Sequence, residues 1–275
     1  EYGLHRNFGE LRYSASRGTD VTDLATLGYL GVLGGMGPGA TADFYLKLIS
    51  ATAASNDQEH VATIIRSVPQ IPDRSAAISK KAESPLPALS SGIRELISSG
   101  AKAIAIPCNT AHFWYEDLVA ISTVPVFHIV DTVRERLETT ARTGPVGLLA
   151  TAGTIEGKIY QNRLGDQSGY QVLVPEEEDQ KKLVSPGIAA VKAGDLIAGA
   201  DLLSKAARRL QERGARSAIM ACTEIPIVLG PKSDVGMPLI DATDALARHC
   251  VEWWRTSNSA RVDDLHLSGA TDSNS

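Results

Sequence analysis

The sequence has little cysteine, few aromatic residues and no strong charge of either sign. Three cysteines among 275 residues are an odd number and too few for a disulfide scaffold, which favours reduced thiols in the cytoplasm. A formal net charge of −5 argues against nucleic acid or an anionic membrane as the main partner. No apolar run is long enough to span a bilayer. The composition predicts an ordinary cytoplasmic globular protein, with neither nucleic acid nor membrane as a partner.

Two of the three cysteines follow apolar runs that are typical of buried parallel strands. Cys108 comes two positions after the run Ala103–Ile106, and Cys222 directly follows Ser217–Ala221. Parallel α/β folds carry their chemistry at the C-terminal ends of such strands. We therefore predict that the two thiols face each other across one cleft.

The surroundings of these two cysteines repeat along the chain. Gly214 lies 114 positions after Gly100, and Cys222 lies 114 positions after Cys108. Strand and helix patterns alternate, which is typical of parallel, doubly wound sheets. The sequence thus predicts an α/β fold of two similar doubly wound parallel-sheet halves, related by a pseudo-twofold, with the active site in the cleft between them.

Changes of composition divide the chain into four segments. Residues 1–26 are polar and lack the apolar core of a secretory signal, so we expect a flexible N-terminal extension. Residues 27–143 form the first predicted half. Residues 144–255 form the second, and its last helix is a candidate for packing on the first half. Residues 256–275 are rich in Ser, Asn and Asp and are predicted to be a disordered tail.

Two further loops belong to the predicted active edge. Gly34–Gly39 joins a strand to a helix and exposes backbone N–H groups that suit an anion, although a tight turn that needs glycine accounts for it equally well. Arg74 lies in a proline-braced loop after a strand, where its guanidinium suits a two-pronged grip on a carboxylate.

Paired thiols at strand ends suggest proton transfer. A thiol that opens a helix is expected to have a lowered pKa, because the helix N-terminus favours the thiolate. With two such groups, one can remove a proton from one face of an α-carbon while the other returns a proton to the opposite face. This inverts the stereocentre without a redox cofactor, and the two thiols titrate as a coupled pair.

Three alternative roles for the cysteines remain open on the residues alone. A disulfide between Cys108 and Cys222 is the first, although a cytoplasmic protein argues against it. Zinc binding is the second, because His112 and Glu224 follow the two cysteines closely, but their spacing matches no common zinc site. The third is that the cysteines are inert core residues, which is what we expect of Cys250.

Several stretches together resemble the aspartate/glutamate racemase family, whose members are PLP-independent amino-acid racemases. The similarity runs from Leu30 to about Val251. It is greatest to the aspartate racemase branch, because Glu224 stands where glutamate racemases typically carry His. The matching stretches are Gly34-Gly35-Met36-Gly37-Pro38, Asp57-Gln58-Glu59-His60, Ile71-Pro72-Asp73-Arg74, Pro107-Cys108-Asn109-Thr110-Ala111-His112, Leu148-Leu149-Ala150-Thr151-Ala152-Gly153-Thr154, Val191-Lys192-Ala193-Gly194 and Cys222-Thr223-Glu224.

The resemblance implies a role for each candidate residue. Cys108 and Cys222 are the expected acid–base catalysts, with Cys222 acting on the L-isomer and Cys108 on the D-isomer. Arg74 and Lys192 are expected to hold carboxylates. The full set of expected substrate-binding residues is Met36, Arg74, Asn109, Thr110, Lys192, Thr223 and Glu224. The resemblance also implies a homodimer, no cofactor, no metal, and a cleft that closes on an amino-acid substrate.

The expected reaction is the interconversion of L- and D-aspartate, with glutamate as the next choice, because Arg74 suits a side-chain carboxylate. The alternatives are a broad-specificity amino-acid racemase, a related single-cysteine decarboxylase or isomerase, a hydantoin racemase, and a ligand-binding module without turnover. Exchange of the α-proton with solvent separates a racemase from a binding module.

Overall fold

Two parallel sheets, one in each half of the chain, form the frame of the protein. The computed structural model describes residues 28–140, 143–166, 169–230 and 233–269, with side chains as far as Asn258. The strands are β1 (Tyr29–Gly34), β2 (Thr63–Ser67), β3 (Ala101–Ala105), β4 (Val146–Ala150), β5 (Val172–Leu173), β6 (Ser217–Ala221) and β7 (Leu239–Asp241). Their order is β2-β1-β3 in the first sheet and β5-β4-β6-β7 in the second. The predicted α/β fold with parallel sheets in two halves is confirmed.

Helices connect the strands and cover the sheets. They are α1 (Pro38–Ala51), α2 (Arg74–Ile78), α3 (Leu86–Ser98), α4 (Tyr115–Ala120), α5 (Ile129–Thr139), α6 (Ala152–Glu156), α7 (Glu177–Asp179), α8 (Ser185–Lys192), α9 (Leu196–Glu212), α10 (Ile225–Val228) and α11 (Ala242–Gly269). Short 3₁₀-helical turns span Asp57–Glu59 and Asn109–Trp114, and π-helical turns span Gln161–Asp166 and Gln180–Val184. Among the described residues, none of these helices combines the length and apolar character that crossing a membrane requires.

The apolar periodicity of the sequence accounts for these elements. Helix α3 buries Leu89, Ile93 and Leu96, which recur every three or four residues and pack on the sheet. Strands β4 and β6 are buried at every position, as expected of central strands covered on both faces. Because the pairing is parallel, the C-terminal ends of these strands meet at one edge, where Ala150 pairs with Ala221.

One apolar cluster joins the two halves. It contains Leu30 and Phe44 of the first half together with Leu148 and Leu246 of the second. Helix α11, which follows the last strand, packs against α1 and α5 of the first half. The two sheets therefore share a core, and their C-terminal edges are held next to each other.

The structure differs from the sequence prediction at the C-terminal end. The ordered chain was expected to stop near Thr256, but α11 continues to Gly269. The segment after Thr256 contains Ala, Arg, Val and Leu and no proline, so nothing in it breaks the helix before that glycine. The remaining residues of the predicted tail, 270–275, and the predicted N-terminal extension, 1–26, lie outside the described residues.

Candidate active site

One cavity at the adjoining sheet edges is lined by all nine predicted site residues. They are Met36, Arg74, Cys108, Asn109, Thr110, Lys192, Cys222, Thr223 and Glu224. Asp73, Ser75, Thr151 and Ala221 complete the lining. The space open to the centre of a water molecule is only about 30 Å³, so the cavity is small and must widen to admit an amino acid.

Cys108 follows β3 and opens the 3₁₀-helical turn Asn109–Trp114. Its carbonyl oxygen lies 2.9 Å from Nδ1 of His112, whose Nε2 lies 3.3 Å from the carbonyl oxygen of Phe127. Burial lowers the pKa of His112 to about 4, so the imidazole is neutral and has one N–H to donate. His112 thus lies between the carbonyl oxygens of Cys108 and Phe127 and donates its one N–H to one of them.

Cys222 has a carboxylate partner. Its Sγ donates to Oε2 of Glu224 at 2.9 Å, and the hydroxyl of Thr223 donates to the same oxygen at 3.2 Å. The other carboxylate oxygen lies 3.8 Å from Nζ of Lys192, which is about half exposed. Glu224, predicted to bind substrate, therefore contacts the thiol directly.

The expected lowering of the thiol pKa is wrong for Cys222. Burial, followed by the negative charge of Glu224, raises the pKa of this thiol well above its usual value. The helix after it, α10, has only four residues and begins three positions later, so its N-terminus does not offset these effects. Cys222 is therefore a protonated thiol in the structure described.

Asn109 and Thr110 bind groups of the second half. The hydroxyl of Tyr160 donates to Oδ1 of Asn109 at 2.6 Å, whereas Nδ2 of Asn109 is buried with no partner among the described residues. The hydroxyl of Thr110 lies 2.9 Å from the hydroxyls of both Thr151 and Thr154. These contacts tie the turn after Cys108 to the second half.

Arg74 also presents an unpaired donor. Its Nη1 donates to the carbonyl oxygens of Ile71 and Pro72, both at 3.1 Å, which holds the loop before α2. Its Nε is buried and lacks a hydrogen-bond partner within the described part of the chain. Unpaired buried donors beside a cavity suit an anionic ligand, because they are costly to leave unsatisfied.

The Gly-rich turn beside Met36 has a steric basis. Gly35 has a φ of +93°, and a Cβ there would lie 2.2 Å from the backbone nitrogen of Val68. Its N–H donates to the hydroxyl of Thr41 at 2.8 Å. The glycine is required by this close approach, and its own N–H is already used.

Neither thiol beside the cavity takes part in a disulfide bond. Cys108 and Cys222 are free, so the disulfide alternative does not apply to this structure. Within the described residues, no group of three or more His, Cys, Asp or Glu side chains is arranged to hold a metal ion. Two thiols beside one cavity, one of them hydrogen-bonded to a carboxylate, can pass protons to and from a carbon atom placed between them.

Sequence reasoning missed several residues of the site. Thr151 was part of a matching stretch and begins the turn after β4, a position equivalent to the Gly-rich turn, which was a usable signal. Asp73 and Ser75 flank the predicted Arg74 and line the cavity with it. Tyr160 carried no signal, because its contact with Asn109 joins positions 51 residues apart.

Comparisons with known proteins cover both halves. Residues 33–250 match the model of the family described as Asp/Glu/Hydantoin racemase. The chain is 31% identical over 224 residues to the broad specificity amino-acid racemase RacX of Bacillus subtilis, covering 79% of this chain and 94% of that protein. It is 29% identical to the glutamate racemase of Deinococcus radiodurans, covering 57% of this chain and 54% of that protein. The structure of Picrophilus torridus aspartate racemase matches with a TM-score of 0.73 and 31% identity, covering 82% of this chain and 94% of that one.

Proposed function

The chain belongs to the Asp/Glu/hydantoin racemase family and is an amino-acid racemase, and on that premise we propose that it interconverts L- and D-aspartate by proton transfer between the α-carbon and the two thiols Cys108 and Cys222. PLP takes no part in the proposed reaction. The observation that carries the proposal is that two free thiols, from equivalent turns of the two halves, line one cavity.

The proposed chemistry divides one inversion between the two thiols. A thiolate on one side takes the α-proton, and the electron pair of the broken C–H bond spreads into the neighbouring carboxylate. The thiol on the other side delivers its proton to the opposite face. Cations and N–H donors beside the carboxylate stabilise the negative charge that builds up there. The enzyme leaves each turnover with its proton on the other sulfur.

Glu224 has a place in this cycle. Because Cys222 is a thiol that donates to Glu224, it is ready to deliver a proton, the step that by family analogy completes the reaction of the D-isomer. For the L-isomer the roles are reversed: Cys108 carries the proton to be delivered, and Cys222 must first lose its own proton, for which Oε2 of Glu224 is the acceptor within hydrogen-bond reach. In this proposal Glu224 serves the thiol as a proton acceptor.

Aspartate is the proposed substrate because the cavity offers donors for two carboxylates. Nε of Arg74 and Nδ2 of Asn109 are buried and unpaired among the described residues, and Lys192 adds a second cation. Glutamate is the next choice, since it needs the same groups and a slightly longer cavity.

A broad amino-acid range is the second candidate. The cavity carries two cations, Arg74 and Lys192, and two carboxylates, Asp73 and Glu224, so its formal charge is zero. A neutral cavity does not by itself favour a dicarboxylate over a neutral amino acid. The similarity to RacX, named as broad in specificity, points the same way.

The decisive experiment follows the α-proton. The purified protein, without added PLP, is incubated in deuterated water with each enantiomer of aspartate, glutamate, alanine and lysine. Loss of the α-proton NMR signal together with loss of optical rotation is expected for aspartate. Equal rates for alanine and lysine would establish the broad range instead. No exchange with any amino acid would overturn the proposal and direct the search to malonates, hydantoins or binding alone.

We further propose a homodimer in the cytoplasm. The free thiols suit a reducing compartment. Tyr45, Leu46 and Ile49 leave an exposed apolar face on α1 that offers a contact for a second copy. Light scattering after size-exclusion chromatography tests the dimer, and a Leu46→Glu variant tests this face.

A further inference from the structure

Tyr160 is a buried tyrosine that the proposed chemistry does not use. Its side chain is fully buried, and its hydroxyl donates to Oδ1 of Asn109 at 2.6 Å. Burial raises the pKa of Tyr160, so the hydroxyl keeps its proton and acts as a donor. The hydroxyl of Tyr160 therefore donates its one hydrogen bond to the amide oxygen of Asn109.

The amide of Asn109, which accepts this hydrogen bond, has a nitrogen that is unpaired among the described residues. With Oδ1 held by Tyr160, the NH₂ end of the amide is left over, and Nδ2 has no partner in the described part of the chain although it is buried. Asn109 lines the same cavity as both cysteines. A buried amide whose oxygen is satisfied and whose nitrogen is not, beside that cavity, is matched to a ligand that accepts a hydrogen bond.

The segment that carries Tyr160 is fixed by contacts remote from the cavity. Tyr160 directly precedes the π-helical turn Gln161–Asp166, and π-helical turns often occur at functional sites. In that turn Arg163 donates to both carboxylate oxygens of Asp131, on α5 of the first half, at 2.8 and 2.7 Å. Leu164 is fully buried in the shared core. The core, rather than the cavity, sets where the hydroxyl of Tyr160 lies.

We propose that Tyr160 is a positioning residue of the second half, whose hydrogen bond to Oδ1 of Asn109 holds the amide with Nδ2 directed at a carboxylate of the substrate. The inference rests on the proposed racemase function. Without the hydroxyl, the amide is free to turn and present its oxygen, which repels a carboxylate. Tyr160 therefore governs substrate affinity without touching substrate.

The test is a double-mutant cycle in Tyr160→Phe and Asn109→Ala, with KM and kcat for aspartate as readouts. Tyr160→Phe keeps the ring and its packing. It is expected to raise KM roughly tenfold with kcat nearly unchanged, because the carboxylate meant is that of the aspartate side chain, whose charge does not change during the reaction, so the lost interaction is made equally before and in the transition state. In the Asn109→Ala background the same substitution is expected to change nothing further, since the two groups act as one unit.

Tyr115→Phe is the matched control. The hydroxyl of Tyr115 donates to the carbonyl oxygen of Val126 at 3.1 Å, away from the cavity lining, so its loss is expected to leave KM unchanged. Asn109→Asp is a second test of the positioning role, and it does not depend on whether Tyr160→Phe folds. It keeps an oxygen for Tyr160 but replaces Nδ2 by a second oxygen, and it is expected to raise KM at least as much as Asn109→Ala.

The outcomes separate this inference from the proposed function. A wild-type protein that racemises no amino acid overturns the proposed function and this inference with it. With an active wild type, an unchanged KM in Tyr160→Phe, or an equal loss in both backgrounds, overturns the positioning role alone. An Asn109→Asp variant that binds aspartate as well as wild type does the same, because it would mean that Nδ2 does not face a carboxylate.

Discussion

Sγ of Cys222 lies 2.9 Å from Oε2 of Glu224, and the thiol donates a hydrogen bond to that carboxylate. The equivalent position after Cys108 is Thr110, whose hydroxyl bonds two other hydroxyls. The two halves repeat their cysteines but not the groups that serve them. One thiol thus has its own proton acceptor, whereas the other has a hydroxyl at that place.

This asymmetry predicts the effect of Glu224→Gln. The variant keeps the burial of the Cys222 thiol but removes the negative charge, so the pKa of Cys222 is expected to fall. Racemisation is nevertheless expected to slow by roughly 10²- to 10³-fold, because glutamine cannot accept the proton. The pKa is read from the pH dependence of alkylation at Cys222 in the Cys108→Ser background, with mass spectrometry of the labelled peptide.

If the pKa of Cys222 and the rate of racemisation both fall, Glu224 acts as a proton acceptor. A group that only raised the pKa of the thiol would slow the reaction, so its loss would not. If Glu224→Gln kept full kcat, the carboxylate would have no part in moving the proton. Glu224→Asp is the informative companion, since it keeps the charge but shortens the reach to Sγ.

The second prediction concerns the thiols one at a time. Cys108→Ser and Cys222→Ser are each expected to reduce racemisation by roughly 10²- to 10⁴-fold, the range for loss of a positioned acid or base. Each variant retains one thiol, so it is expected to exchange the α-proton of one enantiomer with deuterium without inverting it. By family analogy the D-isomer exchanges in Cys222→Ser and the L-isomer in Cys108→Ser.

Cys250→Ala is the control for these variants. Cys250 is fully buried on α11, and burial raises the pKa of its thiol, so it is expected to be unreactive. Its loss is expected to lower thermal stability slightly and leave kcat/KM unchanged. Full racemase activity in either Cys108→Ser or Cys222→Ser would remove the two-base mechanism from consideration.

The sequence was sufficient for the parts of the site that depend on local pattern. Apolar runs that end just before Cys108 and Cys222 predicted two strand ends, and parallel pairing brought them to one edge. The pKa of Cys222 was predicted with the wrong sign, because its burial and its contact with Glu224 are properties of the packed cleft. The hydrogen bond from Tyr160 to Asn109 depends on packing between halves, which single-sequence periodicity does not encode.

The repeat also overstated the similarity of the two sheets. Leu239–Asp241 forms a strand in the second sheet, whereas in the first half Val126 makes only an isolated bridge to Ile104. The extent of α11 was missed because a composition rich in Ser, Asn and Asp was taken as disorder. The absence of proline before Gly269 was the better guide.

The third prediction uses the contact that closes the cleft. Gly153, on α6 of the second half, lies so close to Ser75 of α2 that a Cβ there would be 2.6 Å from Cα of Ser75. Gly153→Ala is therefore expected to wedge the two halves apart. Displacing catalytic groups by about 1 Å can cost roughly 10²-fold in rate, so a loss of that order in kcat/KM is expected.

Gly230→Ala is the matched control, because a Cβ at Gly230 meets no atom of the described part of the chain within 4 Å. Steady-state kinetics of the two alanine variants, with thermal unfolding to verify folding, decides the question. Small-angle scattering with and without aspartate should show that Gly153→Ala no longer reaches the closed form. Unchanged kinetics in Gly153→Ala would mean that the Ser75 contact is absent when the enzyme works.

The last prediction concerns stability and pH. His112, fully buried behind Cys108, has a pKa lowered to about 4 in the folded protein, against about 6.5 in the unfolded chain. Above pH 6.5 the residue is neutral in both states and carries no pH dependence. As the pH falls below 6.5, the unfolded state takes up a proton that the folded state does not bind, so stability is lost until about pH 4. The full loss is about 3 kcal/mol, of which roughly 2 kcal/mol is reached by pH 5.

Urea unfolding of wild type and His112→Gln across this pH range measures the free energy of unfolding. The variant is expected to be less stable than wild type at neutral pH, because it loses the hydrogen bond of His112 to a buried backbone carbonyl, but to lose less stability on acidification. Parallel pH profiles for the two proteins would mean that His112 takes up a proton as readily in the folded state as in the unfolded chain, and its assignment as a neutral imidazole at mildly acidic pH would be wrong.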